Sequence, residues 1–197
     1  MVFWIGILVG GLFAWLAFRL GFYSTWAISF NIVLAVYLGL LAGPVLIELV
    51  PAADTGAYGT ALAVLTTAAA AFVVLHCICY TFITGRFDVT LPSLLDNLGS
   101  VVLGFCVGFL VWSFIAFLVY ISPIAKNNLA RTVGFNQHAR ETVTANLNWW
   151  CGIVDRFTAC PDRPPVSKQI EQLLENAHRT HDPNAPHADT PEPNQPR

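Results

Sequence analysis

The sequence predicts an all-α integral membrane protein: a bundle of four transmembrane helices followed by an amphipathic and partly disordered C-terminal tail. Of its 197 residues, 55% are hydrophobic and only 11% are charged, whereas soluble domains carry about 25% charged residues. The charges are also unevenly spread, because residues 1–123 hold six of them and residues 124–197 hold sixteen. The chain therefore divides into an apolar block and a polar tail.

Four long segments of the apolar block carry no charge, and we interpret each as one membrane crossing. They run over residues 1–18, 20–47, 55–85 and 97–125. About 20 apolar residues cross a hydrocarbon core of roughly 30 Å, so each segment is long enough for one crossing and too short for two. We predict helices near residues 2–19, 25–49, 60–84 and 99–122. A soluble helical protein is the alternative, but helices this apolar would leave no polar face for water.

Small residues recur at four-residue intervals in three of the predicted helices. This spacing places them on one face of a helix, where they let two backbones approach closely in lipid. We therefore expect helix contacts at the following residues: Gly6, Gly10, Gly39, Gly43, Ser100, Gly104 and Gly108.

The tail contains two candidate amphipathic helices, residues 137–158 and residues 166–179. The apolar side chains of the first share one helical face. That helix is expected either to lie in the membrane interface or to pack on the end of the bundle or on a second subunit. The predicted organisation is a transmembrane domain over residues 1–123, a polar tail over residues 124–179 and a disordered end over residues 180–197.

Candidate metal and redox residues are few. His76 and Cys79 share a face of the third helix beside Cys77, and Cys106 follows in the fourth. A metal or haem site needs more ligands than these, so we interpret them as packing residues. The tail histidines are expected to be solvated; they are His178, His181 and His187. With no phosphate loop, catalytic triad or metalloprotease motif in the sequence, we predict neither an enzyme nor a bound cofactor or metal.

Two further predictions concern a polar residue inside an apolar segment and the cysteines of the tail. Asn31 lies inside the second apolar segment, where a polar side chain is expected to form a hydrogen bond between helices. Cys151 and Cys160 of the tail can pair only in an oxidising compartment.

One stretch of the sequence is similar to a known family. Asp96 precedes Gly104 and Gly108 by eight and twelve residues, and Gly21-Phe22 follows the first helix. These residues, with the four-helix plan, resemble the CvpA family of colicin V production proteins. The chain lacks the acidic residue that the family often has early in helix 1, its basic residues beside Gly21 are reduced to Arg19, and the long tail is not a family hallmark.

The resemblance implies a multi-pass protein of the bacterial inner membrane, accessory to toxin production or export or to envelope homeostasis, acting through membrane-embedded interactions. It carries over no catalytic residue. The alternatives are a small transporter or channel subunit and a haem or metal redox protein. The expected partners are the lipid bilayer and either a second copy or other membrane proteins, but not nucleic acid, because neither half of the chain has a basic excess.

The positively charged residues near the helix ends predict the topology, since they favour the cytoplasmic side. Four crossings place both termini on one side. Lys126, Arg131 and Arg140 lie on that side, whereas Arg19 and Arg86 lie on the other. We therefore expect both termini in the cytoplasm.

Overall fold

A computed structural model of the protein describes residues 2–49, 58–84, 92–122, 137–158 and 165–179. These residues form helices and no strand. The helices are α1 (Val2–Leu20), α2 (Phe22–Leu49), α3 (Gly59–Cys79), α4 (Ser93–Ile121), α5 (Gln137–Thr158) and α6 (Val166–Arg179), and a π-helical turn, Tyr80–Thr84, continues α3. Within these ranges, the prediction of an all-α protein is confirmed.

Helices α1 to α4 are long and apolar enough to cross a membrane. Their apolar spans are Phe3–Leu20, Phe22–Leu46, Gly59–Phe82 and Asp96–Ile121, so the four predicted transmembrane helices are confirmed by length and composition. The largest difference is at α4, which begins at Ser93, six residues before the predicted start. Pro92 lies immediately before it, where proline is compatible with a helix start, and its carbonyl oxygen accepts the Asp96 amide at 3.0 Å.

α1 lies antiparallel along α4. Near the start of α1, a Cβ added to Gly6 would lie 2.9 Å from the ring of Phe109. Near the end of α1, Ala17 faces Gly104, which is earlier in α4. The first residues of α1 therefore contact the later part of α4, and the last residues of α1 contact its earlier part, so the two helices run in opposite directions.

α3 lies antiparallel along α2, again through small residues. A Cβ added to Gly43 would lie 2.9 Å from the Cα of Val64, and one added to Gly39 would lie 3.1 Å from the Cα of Ala68. These backbones therefore approach so closely that any side chain at either glycine would force them apart.

The tail helices pack on the bundle, beside α2 and α4. One cluster of buried residues joins the two parts of the chain: Val36, Tyr37, Leu40, Leu110, Phe114 and Phe117 with Val143, Leu147, Cys151, Val166, Ile170 and Leu173. The apolar face of α5 thus contacts the bundle of its own chain, one of the arrangements that the sequence left open. The predicted disordered end, residues 180–197, lies outside the described residues.

Candidate functional site

The turn between α1 and α2 consists of Gly21 alone. Its φ is +79°, in the left-handed region where a side chain would be strained. Its amide donates to the carbonyl oxygen of Ala17 at 3.1 Å, which is the bond that closes a helix with a left-handed residue. Its own carbonyl oxygen accepts the amide of Thr25 at 3.1 Å. Gly21 therefore ends one helix and starts the next.

Asp96 reaches from the first turn of α4 to the start of α2. Its Oδ1 accepts a hydrogen bond from the backbone amide of Phe22 at 2.7 Å. The first amides of a helix have no partner within it, and an acidic group is favourable at this positive end of the helix dipole. Asp96 therefore joins the N-terminus of α2 to that of α4, so that these two helices begin at the same edge of the bundle.

Two residues that the sequence analysis did not single out complete this junction. Thr25 is buried, and its hydroxyl donates to the carbonyl oxygen of Gly21 at 2.7 Å, with that of Ala17 at 3.3 Å as a second acceptor. Gly99 lies against the ring of Phe22, where an added Cβ would come within 2.7 Å of a ring carbon. Gly99 follows Asp96 by three residues, a spacing that places both on one helix face and that was visible in the sequence.

The other glycines of the motif pack on α1. A Cβ added to Gly104 would lie 2.8 Å from the carbonyl oxygen of Phe13, and one added to Gly108 would lie 3.0 Å from the Cα of Gly10. Gly10 in turn faces the ring of Phe105. α4 thus presents Asp96 to the start of α2, and Gly104 and Gly108 to α1. The motif residues therefore form contacts that join α1, α2 and α4.

Ser100 behaves differently from the glycines. It is fully buried, and its hydroxyl donates to the carbonyl oxygen of Asn97 at 2.9 Å, one turn earlier in the same helix. Its polar group is therefore satisfied within α4.

Asn31 links α2 to α3. It is 1% exposed, and its Oδ1 accepts a hydrogen bond from Sγ of Cys79 at 3.3 Å, which is the interhelical bond expected from its position. His76 stacks on Phe72, with ring centroids 5.5 Å apart. Within the described residues, no group of three or more His, Cys, Asp or Glu side chains is placed to hold a metal ion.

Four polar residues that the sequence analysis did not pair hold the tail to the bundle. Asp155 of α5 accepts hydrogen bonds from the hydroxyl of Tyr37 at 2.8 Å and from the amide of Val166 at 3.3 Å. The Nδ2 of Asn146 donates to Oγ of Ser113 at 2.8 Å. Tyr37 and Ser113 were visible as polar groups within apolar spans, which is a signal for a functional or structural role. Their partners in the tail had no such signal.

Cys151 is a free thiol that packs between α5 and the bundle. It is 3% exposed. Burial, with a smaller contribution from the nearby Asp155 carboxylate, raises its pKa from 9.0 to about 12. Cys160, the other half of the disulfide considered from the sequence, lies outside the described residues.

Comparison of the chain with protein-family models, with curated proteins and with solved structures finds no match in any of the three. The resemblance to a family therefore rests on residues of the sequence alone.

Proposed function

We propose that the protein is a CvpA-like multi-pass membrane protein, accessory to toxin production or export or to envelope homeostasis, that acts through contacts with other proteins inside the bilayer. One observation supports this most directly. The two separate segments of the resemblance, Gly21-Phe22 and the helix of Asp96, meet in the fold through a 2.7 Å hydrogen bond between residues 74 positions apart.

The polar groups inside the spans favour an interaction role over a transport path. A conducting path needs polar groups that face an open lumen. Here Oδ1 of the Asn31 side chain accepts a hydrogen bond from Sγ of Cys79, although its buried Nδ2 has no partner among the described residues, and Oγ of Ser113 accepts a hydrogen bond from Nδ2 of Asn146. These groups hold helices together, as polar side chains commonly do within membrane proteins.

We further propose that the protein lies in the bacterial inner membrane with both termini in the cytoplasm, as the basic residues near the helix ends indicate. A membrane-impermeant thiol reagent is expected to label Cys160 only after cell lysis. Labelling of Cys160 in intact cells would reverse this topology.

Gene disruption with complementation tests the accessory role. Disruption should reduce the export of a peptide toxin or the resistance of the envelope to detergent, and the wild-type chain should restore it. Asp96→Ala should fail to restore it, because α2 then loses the acceptor for its first amide. Asn97→Ala is the matched control, since the neighbouring Asn97 side chain is exposed.

Immunoblots of the membrane fraction are the control that compares the inserted amounts of the two variants. If disruption changes neither export nor envelope resistance, the proposed function is wrong. If Asp96→Ala complements as fully as Asn97→Ala, the junction is not the part of the molecule that carries the function.

A further inference from the structure

α5 and α6 form a hairpin on the bundle, and two apolar cavities lie where α5 meets α2 and α4. The inner cavity, of about 340 Å³, lies between all three helices, with Phe30, Val107 and Ile153 among its lining residues. The outer cavity, of about 600 Å³, lies between the first part of α4 and the tryptophan pair of α5. Both are lined by Leu103 and Trp150, so they lie side by side. We call the two cavities together the α4–α5 cleft.

The cleft offers little to water or to a polar molecule. Among its described lining residues, Ser29 and Thr158 are the only ones with a hydroxyl group and none is charged. The hydroxyl of Thr158 already donates to the carbonyl oxygen of Val154 at 2.9 Å. Apolar cavities in proteins stay free of water, and one of about 150 Å³ binds benzene. The chemistry of the lining therefore selects a hydrocarbon.

The position of the cleft in the bilayer corresponds to one leaflet. The hydrogen bond from the Phe22 amide to Asp96 places the starts of α2 and α4 at one edge of the bundle. Along α4, the lining residues run from Leu94, just before the apolar span that begins at Asp96, to Val107, eleven residues inside it. At about 1.5 Å per residue, the cleft extends about 17 Å into a hydrocarbon core about 30 Å thick. It therefore ends close to the midplane.

The cleft is too small for a helix of a partner protein. A helical segment of this length, about 10 Å wide with its side chains, occupies about 1,300 Å³, which is more than the two cavities hold together. A single hydrocarbon chain is much narrower. Acyl chains surround the spans in a bilayer and are as apolar as leucine side chains, and a chain in the cleft gives its lining the contact atoms that a void lacks.

We propose that the α4–α5 cleft binds one acyl chain of a membrane phospholipid, from the leaflet on the side where α2 and α4 begin. The chain enters beside Leu94 and Leu98, which are 85% and 70% exposed. It passes the rings of Trp149 and Trp150, whose centroids lie 4.9 Å apart, and ends near Val107. This binding rests on the membrane embedding of α2 and α4, not on the family resemblance, so it stands if the accessory role fails.

Native mass spectrometry of the full-length protein tests the proposal. Wild-type protein released from mild detergent micelles is expected to keep one phospholipid. Leu103→Trp places a larger side chain where the two cavities meet, and Ile153→Trp does so in the inner cavity, so each should lower the retained fraction about tenfold. Val73→Trp is the matched control and should keep the lipid, because Val73 is 58% exposed on α3 and does not line the cleft. Thermal unfolding by circular dichroism compares the folding of the three variants.

A photoreactive phospholipid then locates the chain in vesicles. A probe with a diazirine at the end of one acyl chain should label α5 around Trp150 and Ile153, as well as the exposed face of α3. In the Leu103→Trp variant, the label on α5 should fall while the label on α3 stays. Wild-type protein that retains no lipid, equal retention by Leu103→Trp and Val73→Trp, or an unlabelled α5 would each overturn the proposal. A free fatty acid as the only retained molecule would contradict the assignment to a phospholipid.

Discussion

The α1–α4 pair and the α5–α6 hairpin are both held against neighbouring helices, but by different means. α1 meets α4 through small residues, with Gly104 against Ala17 and Gly108 against Gly10. The hairpin is held by buried apolar side chains and by the hydrogen bonds of Asp155 and Asn146.

The difference follows from the surroundings of each helix. Two apolar helices in lipid gain little by burying more apolar surface, so their association depends on close packing. An amphipathic helix can form hydrogen bonds through its polar side chains, and its apolar face is stabilised by packing against another helix. The same bundle therefore contains two kinds of helix contact. The glycine contacts between α1 and α4 are disrupted by one added methyl group, whereas the contacts of the α5–α6 hairpin depend on single polar side chains.

The largest effect is expected for Gly104→Leu. The new side chain has no space, because even its Cβ would lie 2.8 Å from the backbone oxygen of Phe13. Overpacking of this kind costs about 1–3 kcal/mol or more, and α1 should move away from α4. Thermal unfolding in detergent, followed by circular dichroism, measures the loss.

Gly11→Leu is the control for this substitution. Nothing lies within 4 Å of a Cβ added to Gly11, although this glycine also lies in an apolar helix, α1. Equal destabilisation by the two variants would show that loss of a glycine from an apolar helix, and not its packing, is responsible.

A more local effect is expected for Asp155→Ala. It removes the acceptor shared by the Tyr37 hydroxyl and the Val166 amide, and each unsatisfied buried group costs about 1–3 kcal/mol. The hairpin should detach while α1 and α4 stay together, so trypsin should cut at Lys168 faster. Tyr37→Phe removes one of the two bonds and should have about half the effect. Unchanged cleavage in both variants would show that the apolar cluster alone holds the hairpin.

The thiol of Cys151 reports on the same docking. Because its pKa is raised to about 12, little thiolate exists at pH 8, and N-ethylmaleimide should modify it slowly until Asp155→Ala releases the hairpin. The raised pKa also means that its contribution to stability is present below pH 9 and is lost as the pH rises towards 12. Mass spectrometry of the Cys151 peptide measures the rate. Rapid modification of the wild-type protein would contradict this burial.

The smallest effect is expected from removing residues 180–197. Their composition, rich in proline and polar residues, predicts little apolar surface for packing, so a chain that ends at Arg179 should insert and unfold like the full chain. Carbonate extraction of membranes and thermal unfolding measure this. Loss of membrane-inserted protein would reveal a structural role for this end.

Much of the fold was predictable from the sequence. Charge-free segments separate helices regardless of how they pack, so the four spans and the two tail helices were found within a few residues. The charge-free segments misplaced the start of α4, because Asp96 and Asn97 look like a boundary between an apolar segment and a polar loop. Both lie within α4, where Asp96 accepts a hydrogen bond from the amide of Phe22.

The sequence by itself determined how many helices are long and apolar enough to cross a membrane, because apolar length is a property of a single helix. Only the tertiary structure decided which helices pair. It brought Asp96 to the start of α2 and Asp155 to Tyr37, 118 positions earlier. A hydrogen bond between distant segments depends on the path of the whole chain, and no local pattern encodes that path.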